Sequence, residues 1–509
     1  MRFISVTGSA CTGRSSAPAA ARGQASRRVL SLMLTVVLVA GGAAQATAPN
    51  PLAFAPALRC TLDRQASSTV PGWLTLAGSP TLLCAGALRA TWPAQRSPRV
   101  IVASGPWGSS TLERTLRFPR PAPASMRFAA VVGFGVSGRN TAAPRLTGVF
   151  LGSSGEAMGS PFTLRGPRSG SPQASPVRFV QRIRRGAVPR GAVALRLTLR
   201  LSGRTGGAAS YVGAMRLDVR PPVDFPPPEP PPAHVPRFDH VFLIMMENTD
   251  FRQVIGDRKD APYLNALAAR GTVLANYQAV YHPSDENYLA IAGGDTFVTG
   301  GQYFPNIHIA SRNLGDLLES AGRSWQAYEQ GMGVPCNTTT HYDKYYEPDD
   351  APFFNFTDIR ANTARCRTHL VPLRNWFADL RRTAATPAFA WLAADDYDDG
   401  EASGNGSPQS LRVQDAWLRT TLAPLFRSAA WRDQKSLLII TWDESNTLKN
   451  DHVATIVVGS RHTVRAGYVS TRRYDHYSTA RVIEAALGLP SLTSNDAYAR
   501  PFNDVFARR

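Results

Sequence analysis

A chain of 509 residues with 43% hydrophobic residues is long enough to bury a large core and to divide into two or three domains, which excludes a small disulfide scaffold and a disordered polyanion binder. The formal net charge of +19 is unevenly spread: residues 47–235 hold 23 Arg, no Lys and 6 acids, a net +17, whereas residues 236–509 hold 28 basic and 31 acidic residues, a net −3. A basic first half can attract an anionic envelope, a lipid headgroup or a polyanion, or simply be a solvated Arg-rich surface.

Residues 1–28 contain Arg and no acids, and Val29–Ala40 is an apolar run followed by Ala44-Gln45-Ala46. This reads as an export signal over residues 1–46, leaving a secreted or periplasmic chain without a membrane-spanning segment. Removing it takes away Cys11 and leaves Cys60, Cys84, Cys336 and Cys366, an even count that suits two disulfides, Cys60–Cys84 and Cys336–Cys366, and lacks zinc-site spacing.

From Cys60 to Arg220 short apolar runs alternate with Gly, Ser and Pro clusters, as in Arg99–Ala103, Met126–Phe134, Ala194–Leu201 and Met215–Arg220. The pattern predicts an all-β sandwich over residues 47–220, with an ending that is jelly-roll-like. The Pro-rich stretch Pro221–Pro236 can form neither helix nor ladder and predicts an extended linker.

Residues 237–509 have a different texture. His240–Met246 and Ser436–Trp442 are continuous apolar strands that end at Glu247-Asn248 and at Asp443-Glu444. Val273–Ala279, Trp325–Tyr328, Phe389–Leu392 and Val453–Gly459 read as further strands, and Ala261–Ala269, Leu314–Ser320 and Ser410–Phe426 as helices. Fully apolar strands alternating with helices predict an α/β fold whose sheet is covered on both faces, with ligands beyond the carboxyl ends of the strands.

The central stretch is Tyr281–Gly294, where Pro283 and Asp285 precede the helix former Tyr288–Ala292 and Gly293-Gly294 stops it. Ser284 therefore stands near a helix N-terminus, where backbone N–H groups favour a phosphate and Asn287 lies one turn on. It is expected to be a nucleophile; the bland reading is a helix cap. Carboxylates, an amide oxygen and imidazoles (His452, His476) at separate strand ends suit a divalent cation that would lower the pKa of the Ser284 hydroxyl.

The segments Met246–Phe251, His282–Ala290, Ile440–Ser445, Asp451–Val453, Tyr474–Ser478 and Glu484–Pro490 together resemble the phosphoesterase family of bacterial phospholipases C and of bacterial and fungal acid phosphatases, in the alkaline-phosphatase-like superfamily. The resemblance covers about residues 238–507. It implies a three-layer alkaline-phosphatase-like sandwich and a divalent metal ion held by Glu247, Asn248, Asp443 and Ser284. It further makes Ser284 the nucleophile of a phosphoserine mechanism and Asn287 a phosphate ligand. Glu444 joins the metal set or, with His452 and His476, orients phosphate or protonates the leaving oxygen. Cys336 and Cys366 fall where the family carries a cysteine pair. The Ser-Asp-Glu-Asn-Tyr form is more similar to the acid phosphatases, acting on small phosphate monoesters, than to the phospholipases.

Three places depart from the family's pattern: Glu286, Glu347-Pro348-Asp349-Asp350 and Asp398-Asp399-Gly400-Glu401, the last two replacing imidazoles with carboxylates. They imply a changed substrate, a second metal or phosphate site at Asp399 and Glu401, or reduced activity; the bland reading of Asp395, Asp396, Asp398 and Asp399 is a solvated acidic loop. The alternatives are thus a phospholipase C that the Arg-rich half anchors to membranes, and an inactive envelope-binding protein. No motif for sequence-specific nucleic-acid binding is present.

Overall fold

The computed structural model describes residues 65–507, apart from 67–69, 71, 79, 85–87, 89, 92–99, 105–107, 139–141, 169–176, 205–207, 228, 298–302 and 448–450. The expected export signal and Cys60, hence the Cys60–Cys84 pairing, lie outside the described residues.

The first half is all-β. A six-stranded and a five-stranded sheet enclose one hydrophobic cluster that includes Trp73, Leu112, Phe128, Phe134, Phe150 and Leu197. Strand Ala194–Leu201 shows why: Leu195, Leu197, Leu199 and Leu201 are buried, while the residues between them are less so. Strand Val180–Ala187, at one edge, instead leaves Arg182, Ile183, Arg184 and Arg185 exposed. Val223 and Phe225 pack against this core and Val235 against the core of the second half, so the Pro-rich stretch is fastened near both ends.

The second half is built on an eight-stranded sheet. In chain order its strands are β1 (His240–Met246), β2 (Thr272–Leu274), β3 (Trp325–Glu329), β4 (Leu370–Pro372), β5 (Phe389–Ala393), β6 (Ser436–Trp442), β7 (Thr455–Gly459) and β8 (Tyr468–Ser470). The spatial order is β4-β3-β5-β1-β6-β7-β2-β8. The five strands from β4 to β6 are parallel, and β7 runs antiparallel to both of its neighbours. All seven residues of β1 and of β6 are buried, as befits central strands covered on both faces.

The single strand expected over Val273–Ala279 is two: β2 ends at Leu274, and Tyr277–Gln278 joins a separate small sheet with His452–Val453 and Tyr474–Asp475. The helices include α1 (Pro262–Arg270), α2 (Asp285–Gly293), α3 (Pro408–Arg427) and α4 (His476–Leu487). Cys336 and Cys366 form a disulfide. No described helix is long and apolar enough to cross a membrane.

Candidate active site

The ladder between β1 and β6 pairs Met246 with Trp442, so Glu247-Asn248 and Asp443-Glu444 leave the sheet side by side. Backbone bonds lock this exit: Asp443 N donates to Met246 O at 3.0 Å, and Asn248 N donates to Asp443 Oδ1 at 2.9 Å. Asn248 takes a left-handed φ of 48°, a conformation that Asn tolerates better than most residues.

Glu247 is the hub. Its Oε2 accepts from Asn248 Nδ2 at 2.9 Å and from Ser284 Oγ at 3.2 Å, and its Oε1 accepts from Tyr288 OH at 2.5 Å. Ser284 stands at the N-cap position of α2, yet its side chain makes no capping bond. The hydroxyl of a plain cap would face the helix's own N–H groups; this one faces Glu247. Asn287, next to it, is fully buried and turned to the loop: its Oδ1 accepts from Val280 N and Tyr281 N, and its Nδ2 donates to Tyr281 O and Pro283 O. Its amide therefore clamps the loop that carries Ser284, and both of its amide groups are engaged there.

Burial drives the acids of this cluster toward protonation, because the charged form loses its hydration. Asp443 is pushed up to about 7 by burial, and Glu444 to about 11 by burial and then by the charge of Asp443. Asp451, whose Oδ1 accepts from Ser445 N at 2.8 Å, rises to about 8 for the same first reason. Asp443 Oδ2 is buried without a hydrogen-bond partner. Two carboxylates, an amide oxygen and a hydroxyl, with one buried carboxylate oxygen left over, fit a hard divalent cation held by Glu247, Asn248, Asp443 and Ser284.

The two expected histidines sit elsewhere. His452 stacks on Phe251 with ring centroids 4.5 Å apart, and its Nε2 lies 3.1 Å from Ala275 O, since the short strand His452–Val453 is tied to Tyr277–Gln278. His476 begins α4 and is fully buried, with Nε2 3.0 Å from Trp442 O, directly behind Asp443; burial holds its ring neutral, at about 4. The imidazole beside the acids is instead His282, whose Nδ1 lies 2.6 Å from Glu444 Oε2. His282 lies in the His282–Ala290 motif, but nothing in its spacing distinguishes it from His452 and His476.

The site opens into a cleft of about 420 Å³ whose lining includes Glu247, Ser284, Tyr288, Asp349, Asp350 and Asp396, and no Lys or Arg among the described residues. Asp399 and Glu401 are both near. Asp399 O accepts from Glu247 N at 3.1 Å, and Glu401 N donates to Asp399 Oδ1 at 2.9 Å. The carboxylate of Asp399, however, is grouped with those of Asp350 and Asp396, and Glu401 lies on the cleft wall. Nothing in the sequence joins Asp350 to Asp396, because two strands, β4 and β5, and several helices lie between them.

Strand ends carrying acids, an amide and a helix-start serine are thus brought together. Residues 257–490 match the Phosphoesterase family. The chain is 30% identical over 275 residues to a probable acid phosphatase of Kluyveromyces lactis, covering 52% of this chain and 61% of that one. It is 29% identical over 276 residues to a phosphatidylinositol-3-phosphatase of Mycobacterium tuberculosis, covering 53% and 84%. The chain thus spans less than two thirds of the Kluyveromyces protein and half of itself in either match. A solved Vibrio parahaemolyticus structure described as a protein in the alkaline phosphatase superfamily aligns with 53% of this chain and 71% of its own, at 13% identity and a TM-score of 0.37.

Proposed function

We propose that this chain is an exported, metal-dependent phosphoric ester hydrolase of the acid-phosphatase type that acts through a phosphoserine at Ser284. The observation that carries the reading is the Ser284 hydroxyl, which forgoes the helix cap and bonds to Glu247 within a cluster of acids at two strand ends. Relatives named acid phosphatase and phosphatidylinositol-3-phosphatase support the reaction class. The Cys336–Cys366 disulfide suits an oxidising compartment and so supports export.

A divalent cation in the Glu247, Asn248, Asp443 and Ser284 set would lower the pKa of the hydroxyl and neutralise phosphate oxygens. Tyr288 and Asn248 fix Glu247, and Glu247 in turn aims Ser284 Oγ. Ser284 Oγ attacks phosphorus as the bond to the leaving oxygen breaks, and the hydroxyl proton passes to the acid cluster. The His282–Glu444 pair gives a proton to the leaving alkoxide. Water then attacks the phosphoserine, returning Ser284 and releasing inorganic phosphate. On this reading the all-β half, residues 47–220, is a separate accessory domain joined through the stretch 221–236 to the catalytic domain.

The test is hydrolysis of a chromogenic phosphate monoester and of its phosphorylcholine diester by wild type and Ser284→Ala, with and without chelator. Monoester turnover that falls by about 10³-fold or more in Ser284→Ala and is abolished by chelator is the expected result. Preference for the diester moves the assignment to a phospholipase C. Wild type inert with every divalent metal refutes the catalytic reading and leaves an envelope-binding protein.

A further inference from the structure

Beyond the strand-end cluster, the same cleft holds a second group of acids. Asp350 ends the short turn Pro348–Asp350, and Asp396 and Asp399 come from the segment after β5. One carboxylate oxygen from each of the three lies within 4.8 Å of the others. Acids alone do not make a site, but two of these carry a carboxylate oxygen shut off from solvent. Asp399 is 2% exposed and its Oδ2 has no hydrogen-bond partner; Asp350 Oδ2 is likewise buried and unpartnered.

Behind them Glu329, at the end of β3, is fully buried with neither carboxylate oxygen bonded, and its charge acts on Asp350. Buried carboxylates without donors are costly, and the cleft supplies no Lys or Arg among the described residues to offset them. A bound cation removes both defects at once.

We propose that Asp350, Asp396 and Asp399 hold a second divalent cation in the cleft, next to the one assigned to the Glu247, Asn248 and Asp443 set. The donors are all carboxylate oxygens, with no imidazole or thiolate among them, which suits Mg²⁺, Mn²⁺ or Ca²⁺ over Zn²⁺ or Cu²⁺. The Glu247 N–H to Asp399 O bond makes the two sites share a wall. A cation there turns a face that would repel a phosphate into one that attracts it. The binding stands on this cluster alone; only the role in substrate capture rests on the phosphoesterase reading.

The test is Mn²⁺ binding to the full chain after stripping with chelator, counted by electron paramagnetic resonance of free Mn²⁺ and by native mass spectrometry. Two Mn²⁺ per chain are expected for wild type, and one for each of Asp350→Asn, Asp396→Asn and Asp443→Asn. Stripped Asp396→Asn should also melt above stripped wild type, because a repelling charge is gone, and gain less from added Mn²⁺. A single Mn²⁺ that survives Asp350→Asn and Asp396→Asn but is lost in Asp443→Asn overturns the second site and leaves the first. A single Mn²⁺ lost in Asp396→Asn and kept in Asp443→Asn upholds this site and overturns the first.

Discussion

Stripped of the proposed cation, the protein should become less stable as the pH rises, contrary to the usual behaviour of carboxylates. Burial lifts Asp285 to about 9, Asp443 to about 7 and Asp451 to about 8, and all three are buried in the folded chain. Their folded values lie above the unfolded ones, so the folded state binds more protons. The associated stability is present below about pH 4 and is lost as the pH climbs to about 9. One retained proton corresponds to about 1.4 kcal/mol per pH unit, and three to about 4 kcal/mol. Even a single one removes about 2.7 kcal/mol between pH 5 and 7, a large part of a typical folding free energy of about 5–15 kcal/mol.

Urea unfolding at pH 5, 6 and 7 in chelator measures this directly, with a parallel series in Mn²⁺ that should be nearly flat. The chain's formal net charge of +19 acts in the opposite sense, since acid makes the surplus larger and the self-repulsion stronger, and so does His476, whose buried ring stays neutral down to about pH 4 while the unfolded one takes up a proton. A chelated protein whose stability is flat or rises from pH 5 to 7 would refute the electrostatic account of the cleft.

His282→Gln should lower turnover of an alkyl phosphate by about 100-fold and of a nitrophenyl phosphate by less than about 10-fold, because only the poorer leaving group needs the proton from the His282–Glu444 pair. Equal losses with both substrates would assign His282 a merely structural part. Replacing Cys336 and Cys366 together by Ala opens a loop with a sequence separation of 30 and should cost about 3.6 kcal/mol in urea unfolding, with activity retained at low temperature.

Much of the second half was legible in the sequence because its signals are local. The apolar runs of β1 and β6 end at acids, and the Gly293-Gly294 stop closes α2 where the pattern says it should. What was not legible depends on which strand lies beside which. No residue in Thr455–Gly459 announces that β7 runs antiparallel, and the break between Leu274 and Tyr277 follows from two sheets competing for one stretch. The choice of His282 over His452 has the same origin: the pairing of His452–Val453 with Tyr277–Gln278 carries His452 onto Phe251. The Asp350, Asp396 and Asp399 group comes together only through tertiary contact. Residue type alone left Asp396 and Asp399 indistinguishable from a solvated acidic loop.

The pairing of Met246 with Trp442 has a consequence for how such a site can change over generations. Both acid pairs hang from one rung of the β1–β6 ladder, so a one-residue insertion in either strand would turn its motif to the opposite face of the sheet. Lineages carrying that change would lose one acid pair from the site and, with it, the juxtaposition of the two. The loops bearing His282, Asp350 and Asp396 lie outside that ladder. New cation preferences and new substrates should therefore arise by drift in those loops while the strand ends stay frozen.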